Sequence, residues 1–451
     1  MLSNTKYGAE RQTLMRIHES ITTSIHNYSS LIMTKITKKD EKRLNTIHTK
    51  SLKHAIGAFV TSPNASIHAE TGVMPLKHQW KVQLLKQACK YYSNNNTIIH
   101  PSLKDSSQDT KYNTFSNRPI TSIMRQELAQ INIDSSTKFK KAHKCIHPPW
   151  KKSKLNTNLT MTQFDKNNTS HETIRRTFNE KLNKYITKGF EIIYTDGSKT
   201  EQGYGSAIIT KNKTYSYKCH NFSSVYTTEL FALLKALEHR ETNKTLICTD
   251  SLSAVQAIEN PLTKNKLILQ IQDILRDTNT QTTIMWIPSH VGIIGNEKAD
   301  EEAKKATTLD VYANYEILTD DVTKYIKEYA RQKWQTEWEK EIKNGNKLGN
   351  LKKTISKWTD INSYDRKDQT VLTRIRIGHT NLTHVHLIEK KPPPVCSCGN
   401  PLTVKHIFEC TNNKTAIDKY SLNYSTLAQD KKDETDKILE FLKETKLYEK
   451  I

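Results

Sequence analysis

The chain has 451 residues, which is long enough for two to four domains. Hydrophobic residues make up 35% of it, a low share for one compact globule, so we expect folded units separated by polar segments. The formal net charge of +22 favours a polyanionic partner, and nucleic acid fits better than a membrane because no apolar run approaches the roughly 20 residues of a spanning helix.

Residues 1–95 are predicted to be helical. The stretches 13–34 and 40–59 carry apolar residues at near-helical spacing, for example Ile17 and Ile21. One interpretation is a core-facing stripe whose other faces are basic and solvated. The other is a helical unit that also touches a nucleic-acid backbone.

Residues 96–185 are predicted to form a polar linker, because they are rich in Asn, Ser, Thr and Lys and poor in apolar residues. The motif His147-Pro148-Pro149-Trp150 would interrupt this linker as a short stiff element. A brief helix over 173–187 would lead into the next domain.

Residues 186–310 change character and are predicted to form one α/β domain. The predicted order is three strands, a helix, a strand, two helices, a strand and a last helix, at 191–196, 203–211, 214–220, 227–239, 245–250, 251–258, 265–277, 282–288 and from 296 onwards. This order predicts a mixed five-stranded sheet flanked by helices.

Four acidic residues are expected to converge in this domain. Asp196 and Asp250 each end a predicted strand, and neighbouring parallel strands would bring both to the same sheet edge. Glu229 lies near the start of a helix whose alanines allow a close approach to the sheet. Asp300 is predicted in the first turn of the last helix, with Asn296 as a plausible N-cap.

Such a set of acids predicts divalent-metal chemistry. Any one carboxylate alone is usually a solvated or capping side chain, but four together would repel one another without a cation. Two Mg²⁺ ions about 4 Å apart, for which Mn²⁺ can substitute, suit phosphodiester hydrolysis. His290, on the loop 289–295, is suited to proton transfer or product release.

These motifs resemble those of type 1 ribonucleases H. The residues that carry the resemblance are Tyr194-Thr195-Asp196-Gly197-Ser198, Thr228-Glu229-Leu230, Thr249-Asp250-Ser251, Ser289-His290-Val291-Gly292, Gly295-Asn296-Glu297 and Ala299-Asp300. The resemblance covers about a quarter of the chain. It implies an endonuclease that cuts the RNA strand of RNA–DNA hybrids, with Asp196, Glu229, Asp250 and Asp300 as metal ligands and His290 as an auxiliary residue.

Recognition of such a substrate would depend on the 2′-hydroxyls of the RNA strand. The candidate contact residues are Gly197, Ser198, Thr228, Ser251 and Asn296. The basic helix that many cellular members of the family carry before the last strand is missing, and charges within 191–306 are nearly balanced. We therefore expect hybrid affinity to depend on the flanking regions.

A cysteine- and histidine-bearing segment lies within 376–415, between a basic helical region (315–375) and a charged tail (416–451). Cys396, Cys398, His406 and Cys410 follow a C-x-C-x₇-H-x₃-C order that would suit a structural Zn²⁺ in a small knuckle. The alternative is a set of unligated cysteines in a reduced protein. The odd, scattered set of seven cysteines does not indicate a disulfide scaffold.

The flanks are similar to the regions around ribonuclease H in non-LTR retrotransposon (reverse transcriptase) polyproteins of insects. The similarity rests on Leu52–Phe59, Glu70–Leu76, Trp334 with Trp338, Leu372–His384 and the cysteine segment. Arg374 and Arg376 would contact phosphates or, alternatively, pack locally.

The polymerase domain of such polyproteins is expected to be absent. Asp320-Asp321 is the only adjacent Asp pair, and it sits at a predicted helix start, where capping explains it. The chain would then be a fragment or a separately encoded piece, working with a reverse transcriptase partner.

The predicted function is thus a ribonuclease H of nuclear or cytoplasmic location, not secreted and not membrane-bound. The alternative is a catalytically inert, nucleic-acid-binding retrotransposon remnant.

Overall fold

A computed structural model describes residues 2–33, 35–94, 99–105, 118–134, 137–140, 156–164, 168–276, 280–313 and 316–451. The motif His147–Trp150 lies outside these residues. The chain divides into two compact units. Unit 1 comprises Met1–Gln87, Ser107–Met124 and Ile326–Ile451, and unit 2 comprises Ala88–Ser106 and Arg125–Tyr325.

Unit 2 is built on a mixed six-stranded sheet flanked by helices, which confirms the predicted α/β class. Its strands are β1 (Thr157–Asn158), β2 (Glu191–Thr200), β3 (Gly203–Ile209), β4 (Thr214–Cys219), β5 (Lys244–Thr249) and β6 (Gln281–Trp286). Their order is β1-β6-β5-β2-β3-β4. The first four in this order run parallel, and β3 and β4 are antiparallel additions.

The predicted count of five strands was wrong because of β1. Only two residues long, it pairs in parallel with β6, with Thr157 opposite Ile284. So short a strand has no alternating pattern by which a sequence could reveal it.

Helices cover both faces of this sheet. The helices that lie in unit 2 are α7 (Ile99–Lys104), α9 (His171–Ile186), α10 (Val225–His239), α11 (Leu252–Glu259), α12 (Lys266–Leu275) and α13 (Ile294–Ala306), with a 3₁₀ turn at Thr160–Gln163. Successive strand residues point to opposite faces. Ile247 packs with α10, α11 and α12, whereas its neighbours Leu246 and Cys248 pack with Ile174 and Phe178 of α9.

The segment 96–185 is more ordered than a linker where the structure describes it. It contains α7, β1, α9 and α8 (Ile120–Ala129). Although α9 is mostly polar, two of its residues, Ile174 and Phe178, are fully buried in the core. A few well-spaced apolar residues are enough to dock a helix whose other faces are solvated.

Unit 1 is helical. Its helices are α1 (Arg11–His18), α2 (Ser24–Tyr28), α3 (Ser30–Met33), α4 (Lys38–Ile56), α5 (Asn64–Thr71), most of α6 (Leu76–Tyr92), most of α14 (Thr319–Lys343), α15 (Leu348–Leu351), α16 (Arg366–Ile377), α17 (Asn381–His384), α18 (His386–Glu389), α19 (Val404–Ile407), α20 (Lys414–Tyr420) and α21 (Lys432–Glu444). Short 3₁₀ turns occur at Asp360–Ser363, Thr411–Asn413, Tyr424–Ala428 and Tyr448–Lys450.

Segments that are far apart in the sequence share the cores of unit 1. Leu52 and Ile67 pack with Trp338 in one core. A second core joins α16, α19 and α21 through residues such as Ile375 and Phe441. The segments that sequence analysis separated into a basic helical region, a knuckle and a tail therefore fold together.

The predicted core-facing stripe over 13–34 is wrong for most of its length. Ile17, Ile21 and Ile25 are exposed by 38%, 58% and 62%, whereas His18 and His26 are buried. A π-helical turn at Glu19–Thr23 separates α1 from α2. Its wider i→i+5 pattern rotates the following residues away from the α-helical spacing that the prediction assumed.

Within the described residues, no helix combines the length and the apolar character needed to cross a membrane. Asp320 and Asp321 lie in the first turn of α14, and Asp321 accepts a 3.0 Å hydrogen bond from the Ser224 hydroxyl. This position agrees with a helix-start role for the Asp pair.

Candidate active site

Two neighbouring parallel strands place Asp196 and Asp250 side by side. The prediction that Asp196 ends its strand is wrong, because β2 continues to Thr200 to pair with β3. β2 and β5 are parallel neighbours, and Thr195 lies opposite Thr249. Asp196, inside β2, and Asp250, directly after β5, are the next residues along the chain, so both lie where the parallel pairing of the two strands stops.

Helix α10 brings Glu229 to this position. Ser224 caps the helix by accepting a hydrogen bond from the Thr227 N–H. The helix lies so close to β2 that a Cβ on Gly197 would be only 2.5 Å from the Glu229 backbone nitrogen. Only glycine fits at this position, and the close approach carries the Glu229 carboxylate to the two aspartates.

Asp196, Glu229 and Asp250, hereafter the acid group, offer carboxylate oxygens that lie within 4.8 Å of one another. Burial raises the pKa of Asp196 to about 7, and the charges of Asp250 and Asp300 add to this rise. Burial also raises the pKa of Glu229 well above its ordinary value, with Asp196 and Asp250 contributing. Glu229 Oε2 is buried and has no hydrogen-bond partner among the described residues.

The donor set fits a hard divalent cation. Mutual repulsion and burial both disfavour three ionised carboxylates, and a cation would relieve both effects. The unpartnered Glu229 oxygen supplies a ligand atom that no described protein group uses.

Asp300 lies outside the acid group, and its predicted position in α13 needs correction. The helix begins at Ile294, so Asp300 is in its second turn rather than its first. Its carboxylate pairs with Lys304 Nζ at 2.6 Å. Its charge nevertheless contributes to the raised pKa of Asp196.

Asn296 was predicted to be the N-cap of α13, and this prediction is wrong. Ile293 occupies that position and provides no side-chain cap. Asn296 is buried inside the helix, and its Nδ2 donates a 3.2 Å hydrogen bond to Asp250 Oδ2. Sequence reasoning missed this contact, because two residues 46 positions apart give no local signal. The Lys304 pairing, by contrast, follows the i,i+4 spacing that the sequence displays.

His290 is exposed, on the turn that follows β6. Its backbone has a φ of 56°, in the left-handed region. Nearby, the Arg175 guanidinium occupies the space where Gly292 would carry a Cβ, with Nη1 2.8 Å from that point.

The candidate substrate-contact residues differ in accessibility. Ser251 is half-buried at the start of α11. Ser198 retains only 8% exposure in β2, and Thr228 is fully buried, with its hydroxyl donating to the Val225 carbonyl at 2.7 Å. Thr228 therefore supports the site from behind rather than offering its side chain to solvent.

A second candidate metal centre lies in unit 1. The Sγ atoms of Cys396 and Cys410 are 3.7 Å apart, those of Cys398 and Cys410 are 3.8 Å apart, and Cys398 Sγ lies 3.2 Å from His406 Nε2. A tetrahedral zinc with Zn–S bonds of about 2.3 Å gives S···S separations of about 3.8 Å. The four ligand atoms all lie within 4.8 Å of one another.

Local structure shapes this cysteine–histidine group. Gly399 adopts a φ of 87° in the turn that follows Cys396, and Thr403 caps α19 by accepting from the His406 N–H. Hydrogen bonds from the Cys398 backbone and from His406 lower the pKa of Cys396 to about 6. A thiolate at this position suits a metal ligand.

The two arginines predicted to contact phosphates pack internally instead. Arg376 is fully buried, donates to Asp360 Oδ2 at 2.8 Å and stacks over Trp358 at 4.2 Å. Arg374 donates to the carbonyls of Gly57 and Ile451 at 2.9 and 2.8 Å. The local-packing alternative holds for both residues.

The comparison with protein families matches the RNase H family model to residues 188–308. This span contains β2–β6, α10–α13, the acid group, His290 and Asp300. Residues 188–308 thus form an RNase H domain, a class whose activity is ribonucleolytic and whose substrate is nucleic acid. No curated protein matches the chain.

Proposed function

We propose that this chain is an endoribonuclease that cleaves the RNA strand of RNA–DNA hybrids. The acid group carries the proposal, because its carboxylate oxygens lie within 4.8 Å of one another inside the RNase H domain. A purely structural role would leave the buried, unpartnered Glu229 oxygen unexplained.

Asp196, Glu229 and Asp250 would hold Mg²⁺, with Asp300 joining them after its carboxylate leaves Lys304. Two such ions supply positive charge to the attacking and leaving oxygens of a phosphodiester. Asn296 fixes the orientation of the Asp250 carboxylate through its hydrogen bond.

Two sets of residues would act on the substrate itself. His290 is exposed and can hold or pass a proton at the edge of the site. The backbone of Gly197 and Ser198 and the Ser251 hydroxyl are candidates for contacts to the 2′-hydroxyls that distinguish RNA from DNA. Thr228 and Asn296, both buried, would hold these contacts in place.

The test is hydrolysis of a hybrid whose RNA strand is fluorescently labelled, with the full-length chain in Mg²⁺ and in Mn²⁺. Asp250→Asn should reduce the rate by about 100-fold or more, since each 1.4 kcal/mol of lost transition-state stabilisation costs about tenfold. Asp310→Asn is the matched control, because Asp310 is exposed and lies outside the acid group. A folded wild-type chain that leaves the hybrid uncut in both metals would refute the proposal.

A second candidate function is an inert nucleic-acid-binding protein derived from a retrotransposon. The excess of positive charge outside residues 191–306 favours this candidate, as does the resemblance of the flanks to retrotransposon polyproteins. It predicts salt-dependent hybrid binding without cleavage. Either candidate is compatible with a reverse transcriptase partner.

We also propose that Cys396, Cys398, His406 and Cys410 hold a structural Zn²⁺. The S···S separations support this proposal. The segment is attached to the core of unit 1 by Val404, Ile407 and Phe408, so zinc would stabilise this part of unit 1.

A further inference from the structure

The basic pocket of unit 1 consists of Lys53, Lys347, His379, His384 and His386. The rings of His379 and His384 stack with their centroids 3.8 Å apart. Lys347 Nζ lies 3.1 Å from His384 Nε2, so an ammonium group donates to a neutral imidazole. Helix α4 contributes Lys53, and the residues at and beyond the end of α16 contribute the histidines.

Among the described residues, no carboxylate acts on the central groups of this pocket. Burial lowers the pKa of His379 to about 3, and the groups that lower it further are His384, Lys347 and Lys53. Burial lowers the pKa of His384 to about 4, with Lys347 and His386 contributing. No carboxylate is among the groups named for the two rings, and among the described residues neither Lys53 nor Lys347 forms an ion pair.

Two buried cations of unit 1, by contrast, each have a carboxylate partner. Arg11 pairs with Glu70 at 3.1 Å, and Arg376 pairs with Asp360 at 2.8 Å. Lys53 and Lys347 carry positive charge beside two uncharged imidazole rings, and no described carboxylate pairs with either lysine. An external anion would supply the missing counter-charge.

The hydrogen-bond donors in the pocket can be arranged for an anion. The Thr61 hydroxyl lies 3.3 Å from His379 Nδ1, and when it donates there the imidazole proton sits on Nε2. The Thr383 hydroxyl lies 2.7 Å from His384 Nδ1 and accepts a hydrogen bond from that nitrogen, so His384 has the opposite tautomer and its Nε2 is the acceptor for Lys347. Lys347 is exposed and has further ammonium protons besides the one given to His384.

We infer that the basic pocket binds a phosphate group of a nucleic-acid backbone. Ammonium and imidazole N–H groups are ordinary phosphate donors, and the net charge of +22 favours a polyanion. The inference rests on the proposed function for the identity of the ligand. It also replaces the phosphate contacts predicted for Arg374 and Arg376 with contacts from the histidine end of the same motif.

The experiment measures hybrid binding without cleavage. Full-length Asp196→Asn protein, without added divalent metal, is titrated against a fluorescein-labelled RNA–DNA hybrid over a series of NaCl concentrations. Lys347→Gln and His379→Gln in this background are expected to weaken binding about three- to tenfold and, for the lysine, to reduce the salt slope by about one. Lys432→Gln is the matched control, since Lys432 is an exposed lysine of the same unit.

A second arm follows the His379 ring by NMR during titration with inorganic phosphate and with a short hybrid. Shifts of the ring with the hybrid, together with weakened binding by both variants, support the inference. Ring shifts with inorganic phosphate alone, while both variants bind the hybrid like the control, would identify a free-phosphate site and overturn the nucleic-acid assignment.

Equal affinities and salt slopes for Lys347→Gln and Lys432→Gln, without ring shifts, would overturn the site altogether. Lys347 is exposed, so its substitution should leave the fold intact even if His379→Gln does not fold. This experiment measures binding and not cleavage, so its result supports or overturns the phosphate site even if the protein proves to be catalytically inert.

Discussion

Gly197→Ala offers a sharp test of how the fold positions the acid group. A Cβ at this residue would lie 2.5 Å from the Glu229 backbone nitrogen and 2.6 Å from the Thr228 hydroxyl oxygen. Both atoms belong to α10, and the backbone nitrogen cannot move without moving the helix. The substitution should therefore push α10, and Glu229 with it, away from Asp196.

The expected cost of this clash has two parts. Overpacking a close contact costs about 1–3 kcal/mol of stability. A displacement of a catalytic group by about 1 Å costs about 100-fold in rate. Activity should thus fall far more than the loss of stability alone would explain.

The assay compares hybrid cleavage and thermal unfolding of Gly197→Ala with those of Gly189→Ala. Gly189 has a φ of 78°, and a Cβ added to it would meet no described atom within 4 Å, so alanine there strains the backbone without touching the site. It should lose about 1 kcal/mol of stability and keep its activity. Nearly wild-type cleavage by Gly197→Ala would refute the claim that β2–α10 contact sets the position of Glu229.

Three further predictions concern stability and metal. The pKa of Asp196 is raised to about 7 from an ordinary 3.8, so metal-free unit 2 should lose stability as the pH rises from about 4 to about 7. Unfolding midpoints measured over this pH range should show the loss, and Mg²⁺ should reduce it. Midpoints that do not change with pH in metal-free protein would contradict this prediction. Burial lowers the pKa of His48 to about 2 from an ordinary 6.5, so unit 1 should lose stability as the pH falls below about 6.5. His48→Leu should make the acid-unfolding curve less steep. An unchanged curve would show that His48 is not the cause of the acid instability. Cys398→Ser should lower the zinc content measured by elemental analysis, whereas the control Cys89→Ser, at a buried cysteine remote in sequence from the group, should not; equal zinc contents would exclude the proposed site.

The positions of Asp196 and Asp250 could be predicted because they depend on local rules. Asp250 directly follows β5, Asp196 is the first residue of β2 beyond its pairing with β5, and parallel neighbours bring such positions together. Glu229 could be predicted for a similar reason, since the alanines of α10 allow its close approach. These three residues need no knowledge of distant contacts.

The wrong predictions for Asn296 and Arg376 concern side chains whose partners lie far away in the sequence. Asn296 looked like a helix cap, but its side chain bonds to Asp250, which lies on another element. Arg376 looked available for phosphate, but Asp360, sixteen residues earlier, neutralises it in the core. Burial and partner choice of this kind depend on tertiary packing that a local pattern does not contain.

The N-terminal stripe failed for a different reason. A π-helical turn at Glu19–Thr23 changed which of the following residues face the core, so Ile25 is exposed and His26 is buried. Ile17 precedes this turn and is already 38% exposed, so the turn does not explain its position. The spacing rule was sound, but it assumes an unbroken α-helix.

The central claim is that the acid group hydrolyses the RNA strand of a hybrid. The most direct measurement labels the RNA strand and the DNA strand of one hybrid in turn and compares wild-type protein with Asp196→Asn in Mg²⁺. The wild type should cut only the RNA strand, and the variant, equally well folded, should cut neither strand. Cleavage that persists in Asp196→Asn, or wild-type protein that binds the hybrid and cuts neither strand, would contradict this claim.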